Sequence, residues 1–141
     1  MDVSFIINGP PKGKGRPRFS TAGGHVHAHT PQDTLVYENL VKMEYRTQCR
    51  QLFLEGPISA EIVGYFPIPA STSKKKQAQM EAGEIKYTKK IDCDNLAKTI
   101  LDALNGIAYK DDSQICRLYV SKEYSSRPRT VVYLRELQPE E

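Results

Sequence analysis

Residues 92–107, DCDNLAKTILDALNGI, read as a helix of about Asn95 to Leu104 that stops at Asn105-Gly106. Successive helical residues turn by about 100°. That sets Leu96, Ile100, Ala103, Leu104 and Ile107 on one apolar face and Asp94, Lys98 and Asp102 along the opposite side. A chain carrying this stripe must seat the helix on a core and leave its charges facing outward. Asp92 and Asp94 lie two residues apart in the extended approach to the helix, so both can point the same way. The helix N-terminus adds the positive end of a dipole close to them, where a phosphate is also favoured.

A second acidic pair, Asp111-Asp112, follows in the run IAYKDDSQI. Taken singly, Asp94 reads as an N-cap that Asn95 can assist, and Asp111-Asp112 reads as a turn pair. Neither explains why two acid pairs flank one chain reversal. Like charges gathered in this way repel unless a cation sits among them, so jointly the pairs make a hard-oxygen site for Mg²⁺ or Mn²⁺. Asp102 either pairs with Lys98 at i, i+4 or caps a nearby turn, and is placed outside the metal shell.

The charge pattern around this segment sharpens the chemistry. The overall net charge of +3 is too small to mark a nucleic-acid binder. Its distribution is uneven, however. Residues 1–31 carry Lys12, Lys14, Arg16 and Arg18 against Asp2, and residues 74–90 carry Lys74, Lys75, Lys76, Lys86, Lys89 and Lys90 against Glu81 and Glu84. Two basic segments flanking an acidic one are what metal-dependent cleavage of a phosphodiester requires: cations to hold the backbone, and carboxylates to hold the metal. A lysine run is also often no more than a solvated loop. The run GPPKGKG lacks the P-loop spacing and has Gly15 where Ser or Thr is required, so no nucleotide cofactor is expected and the loop reads as a backbone contact. His25, His27 and His29 share one strand face, but no nearby carboxylate or cysteine completes a metal site there. Tyr65 and Phe66 read as core or interface residues. Tyr87 reads equally as packing or as a base-stacking surface.

At 141 residues the chain is of one-domain size, 1–141. No apolar run is long enough to span a bilayer, and the N-terminus lacks a charged-then-apolar leader pattern. The expectation is a cytoplasmic protein with no membrane partner. Three widely spaced cysteines, Cys49, Cys93 and Cys116, exclude a disulfide framework and read as reduced, mostly buried thiols. The order of elements is a strand at 3–7, a hairpin of 18–20 and 25–29 around TAGG, a helix from the Thr30 cap to about Cys49, a strand at 58–66, a short helix at 74–82, the acidic helix, and strands at 115–124 and 129–137 joined as a hairpin at SSRP. On the first long helix, Leu35, Val36, Leu40, Met43 and Thr47 set the expected face. The fold class is α/β (α+β), one domain with a mixed, largely antiparallel sheet packed with helices.

The string DCDNLAKTILDALNG followed by DDSQI resembles the RusA-like Holliday junction endonucleases, whose pattern is D-x-D-N-x-x-K, then D-A-L, then D-D-x-x-[IV]. GPPKGKGRPRFS and TPQDTLVYE are similar to the prophage branch of that family, so the resemblance covers most of the chain. One departure is Ile91, where relatives often carry proline. The resemblance implies Asp92, Asp94 and Asp112 as metal-binding carboxylates, Asp111 as a neighbouring acid, and Lys98 as a lysine near the scissile phosphate. It implies a homodimer acting on branched DNA, in agreement with geometry: two nicks on opposed strands call for two sites about a two-fold axis. A non-catalytic branched-DNA binder, and a nuclease for flaps, forks or RNA-containing junctions, are the alternatives.

Overall fold

The computed structural model describes residues 1–15, 18–29 and 31–141, with backbone alone at 18–20, 22 and 25–29. The expected N-terminal strand is β1, Asp2–Asn8. The expected hairpin is β2, Arg18–Ala22, paired antiparallel with β3, His25–His29. Its tip is Gly23-Gly24, both at positive φ (62° and 82°), where a side chain would be strained. Then come α1 (Gln32–Gln48), β4 (Ile58–Pro67), α2 (Lys74–Glu81), α3 (Cys93–Ala103), β5 (Ile115–Ser125) and β6 (Arg129–Glu136). The expected Thr30 cap lies outside the described residues, and Pro31 stands at the N-cap position of α1. Ser73 caps α2 as one of the two expected serines, its hydroxyl accepting from the Lys76 amide. Among the described residues no helix is long and apolar enough to cross a membrane.

Four strands form the main sheet in the order β1-β6-β4-β5. β6 runs antiparallel to both β1 and β4, while β5 runs parallel to β4. The sheet is therefore mixed and largely antiparallel, as its sequence implies. The expected β5–β6 hairpin is not formed, because β4 lies between the two strands. Burial explains the choice. β4 buries Ile58, Ala60, Ile62 and Phe66, and β6 buries Val131, Val132 and Leu134, whereas β5 buries only Tyr124 and Ser125 at its end. The two apolar strands take the interior, and β5 takes an edge. Three residues, Ser126 to Pro128, suffice to step over β4, since two strand spacings are only about 10 Å.

The core lies between this sheet and the helices α1 and α3. α1 buries Thr34, Tyr37, Val41 and Tyr45, not the expected face; Leu35, Val36 and Met43 are exposed. Aliphatic spacing misleads here because two tyrosines bury their rings and satisfy their hydroxyls, Tyr45 on the Leu52 carbonyl and Tyr37 with Thr130. The thiols also differ from expectation. Cys49 is buried, but Cys93 and Cys116 are exposed, on the first turn of α3 and on edge strand β5. Phe66 is core, and Tyr65 lies half-buried beneath the Arg129 guanidinium at 3.9 Å. Tyr87 stacks on Phe66 at 3.8 Å and meets Tyr124 edge-on, so its ring is used in packing.

α3 sits down on the sheet at Gly64 of β4. A Cβ there would come within 2.8 Å of Leu96 Cδ2 and 3.1 Å of Phe66 Cε2. Gly64→Val should therefore lower stability by about 1–3 kcal/mol through overpacking, read as a lower urea midpoint. An unchanged midpoint would mean that the first turn of α3 can lift off the sheet without cost.

Candidate active site

α3 begins two residues earlier than its apolar pattern implies, at Cys93. Asp92 consequently occupies the N-cap position and Asp94 the first turn. The Asp92 side chain makes no capping hydrogen bond, and both carboxylates are exposed. The apolar face is as expected: Leu96, Ile100, Ala103 and Leu104 are all buried. Opposite it, Lys98 reaches Asp102 at 3.4 Å.

The second acid pair lies on a single 3-10 turn, Asp112–Gln114, just before β5. Its two members are used differently. Asp111 caps the turn, accepting from the Ser113 amide at 3.0 Å, while Gln114 Oε1 accepts from the amides of Lys110 and Asp111. Those bonds to Ser113 hold the Asp111 carboxyl below its usual range. Asp112 is free of capping duty. Its amide donates to Asn105 Oδ1 at 2.8 Å, which ties the turn to the end of α3. Buried Tyr109 braces the same region by donating to the Leu101 carbonyl at 2.7 Å.

Asp94, Lys98, Asp102 and Asp112 meet on the wall of one cavity of about 390 Å³, with Cys116 and Arg117 of β5 across from them. Asp92 and Asp111 are not among its lining residues; Asp111 faces a neighbouring cavity beside Phe53 and Lys110. Within the cavity the Asp102 and Asp112 carboxyls adjoin and respond in opposite senses. Burial raises Asp112, and the adjoining Asp102 carboxyl raises it further. Burial also works upward on Asp102, but hydrogen bonds to Lys14 and Asp112 and the charges of Lys14 and Lys98 bring it below the ordinary range. Of the two, Asp112 is therefore the one that takes up a proton first as pH falls. Among the described residues no three carboxylate, imidazole or thiol groups are drawn to coordinating distance of one point. The donor chemistry nonetheless fits a hard divalent cation: every anionic donor is a carboxylate oxygen, and a like-charged contact is already in place for a cation to relieve.

The sequence matches the family Endodeoxyribonuclease RusA over residues 8–135. The chain belongs to the RusA endodeoxyribonuclease family. It is also 39% identical over 137 residues to Uncharacterized protein YqaN of Bacillus subtilis (strain 168), with 96% of each chain covered. The RusA match spans both walls of the acidic cavity, and of the residues that carry the resemblance Asp94, Lys98 and Asp112 line it while Asp92 and Asp111 do not. Asp102 is the member of that cavity which its position in the sequence understates. Its i, i+4 spacing to Lys98 was legible, but its contact with Asp112 was not.

The basic residues separate into groups. Lys12 is exposed, as are Lys89 and Lys90 just upstream of Asp92. The segment bearing the last two is fixed by Lys122, whose ammonium donates to the carbonyls of Lys89 and Ile91, each at 2.9 Å. Lys14 is engaged with Asp102 at 2.9 Å. Arg16 lies outside the described residues, as do the side chains of Arg18 and of His25, His27 and His29.

Proposed function

We propose that this RusA-family chain is a Mg²⁺-dependent, structure-selective endonuclease that resolves Holliday junctions by paired symmetric nicks. The observation that carries the reading is the convergence of Asp94, Asp112 and Lys98, from α3 and the turn before β5, on one cavity. Asp94 and Asp112, with Asp92 at the adjacent N-cap, are the residues to hold Mg²⁺ or Mn²⁺. Such an ion, when bound, would polarise a phosphoryl oxygen and lower the pKa of its bound water, supplying a hydroxide for attack. Lys98, with 65% of its side chain exposed, is free to stabilise negative charge developing on the phosphate. Lys12, Lys89 and Lys90, together with Arg16 and Arg18, supply backbone contacts that position DNA without reading its bases. Opposed-strand nicks require two such sites about a two-fold axis, so the working form is a homodimer.

Synthetic four-way junctions, flaps, forks and linear duplex, each incubated with the protein in Mg²⁺, in Mn²⁺ and in a chelator, test this. Metal-dependent, symmetric nicking of the junction in preference to the other substrates is the expected product pattern. Preference for flaps or forks would keep the nuclease and reassign its substrate. Junction binding without any nick would make the chain a branched-DNA binder.

A further inference from the structure

We propose that Lys14 is a positioning residue of the cleavage site and not a contact to the DNA backbone: its ammonium holds Asp102, and through Asp102 it sets Lys98 and Asp112. The inference rests on the acidic cavity being the place of cleavage.

Lys14 belongs to the N-terminal basic loop, yet its bonds run inward. The amide donates to Asn95 Oδ1 at 3.1 Å, in the first turn of α3. The ammonium reaches Asp102 Oδ2 at 2.9 Å, near the end of the same helix, and Glu38 of α1 at 3.8 Å. Asn95 and Asp102 are separated by roughly 10 Å of helix axis, so Lys14 lies along α3 as a strap. Its side chain is 29% exposed, against 65% for Lys98. The neighbouring glycines make this approach possible. A Cβ at Gly13 would meet Asn95 Nδ2 at 2.6 Å and Ile91 Cγ2 at 2.8 Å, and one at Gly15 would meet Thr34 Oγ1 at 2.9 Å. The Gly15 amide donates to that same Thr34 hydroxyl at 2.9 Å. The loop is thus anchored to α3 on one side of Lys14 and to α1 on the other.

Geometry at Asp102 gives the strap its consequence. One oxygen, Oδ2, faces both Lys14 and Lys98, with Lys14 the closer. The nearer cation neutralises the carboxylate and repels the second, which leaves Lys98 loosely held and able to turn toward a phosphate. Without Lys14, Asp102 would draw Lys98 into a tight i, i+4 pair, and the cation left to offset its charge beside Asp112 would be the one needed at the phosphate. For a DNA phosphate to recruit Lys14, it would have to break a contact shared by two carboxylates.

The two roles make opposite predictions for Lys14→Met. As a positioning residue it should lower kcat on junctions by about 10- to 100-fold, the usual scale for groups that orient a metal's ligands, while KM stays at the wild-type value. Junction affinity measured in Ca²⁺ across a salt series should keep the wild-type slope, whereas Lys12→Met should weaken binding and make the slope shallower by about one. Lys14→Arg should recover most of the rate. In an Asp102→Asn background, Lys14→Met should have no further effect, because the route through Asp102 is already cut. Unchanged kcat, weakened binding with a shallower slope, or the same loss in both backgrounds would each overturn the proposal. If wild-type protein binds junctions but never cuts them, the proposed function fails, and the salt series still decides whether Lys14 touches DNA.

Discussion

Asp94→Asn should cleave junction DNA about a hundred- to a thousand-fold more slowly than wild type, while remaining folded and binding the same DNA as tightly or more tightly. The rate loss follows from removing one carboxylate from the acidic cavity, a change on the scale seen when a single preorganised electrostatic contact to a transition state is deleted. The folding cost is small because Asp94 is exposed in the first turn of α3. There its charge gains about 0.3–1 kcal/mol from the helix dipole, and the neutral amide forfeits no more than that. Binding is preserved or improved because a negative charge near the phosphate path is lost. Single-turnover cleavage in Mg²⁺, paired with gel shifts in Ca²⁺, separates the two quantities. A wild-type cleavage rate for this variant would remove Asp94 from the mechanism and the acidic cavity from consideration.

What could be read from the chain alone was whatever depends on near neighbours in sequence. The 3.6-residue period of Leu96, Ile100 and Leu104 fixes the buried face of α3, and so sets Asp94, Lys98 and Asp102 on the outside. Gly23-Gly24 marks the tip of the β2–β3 hairpin, and Ser73 marks the start of α2. The failures concern partners distant in sequence. Ser126 to Pro128 look like a hairpin turn, yet β4 claims the place beside β6, because burying its alternate residues outweighs a short connection. The buried face of α1 departs from its aliphatic spacing because Tyr37 and Tyr45 bury as much apolar surface as any leucine once their hydroxyls find partners. The chain alone does not reveal the role of Asp102, because the lysine that engages it lies 88 residues away, in a loop whose composition suggests only DNA contact. Gly13 and Gly64 carry no local signal for the close approaches that they permit, to Asn95 and to Leu96.

Asp112→Asn should abolish cleavage and at the same time stabilise the fold, by about 0.5–1 kcal/mol at neutral pH, the ordinary gain from relieving a functional-site conflict. Asp112 adjoins the Asp102 carboxyl, and burial together with that neighbour raises its pKa in the folded chain. A raised carboxyl means that the folded state holds the proton more tightly than the unfolded state does. Its contribution therefore favours folding below the ordinary carboxylate range, fades as pH climbs through the shifted value, and is a penalty once the group is ionised. An amide avoids the penalty and can still donate to Asp102. The bond from the Asp112 amide to Asn105 belongs to the backbone and survives the substitution. Asp112 is only partly buried, so solvent screening trims the gain. Urea unfolding of both proteins at pH 7 and near pH 3.5 gives the decisive comparison, with the variant ahead at pH 7 and the difference shrinking toward zero in acid. Lower stability of the variant at pH 7 would mean that the Asp102–Asp112 contact supports the fold, and that the strain assigned to it is absent.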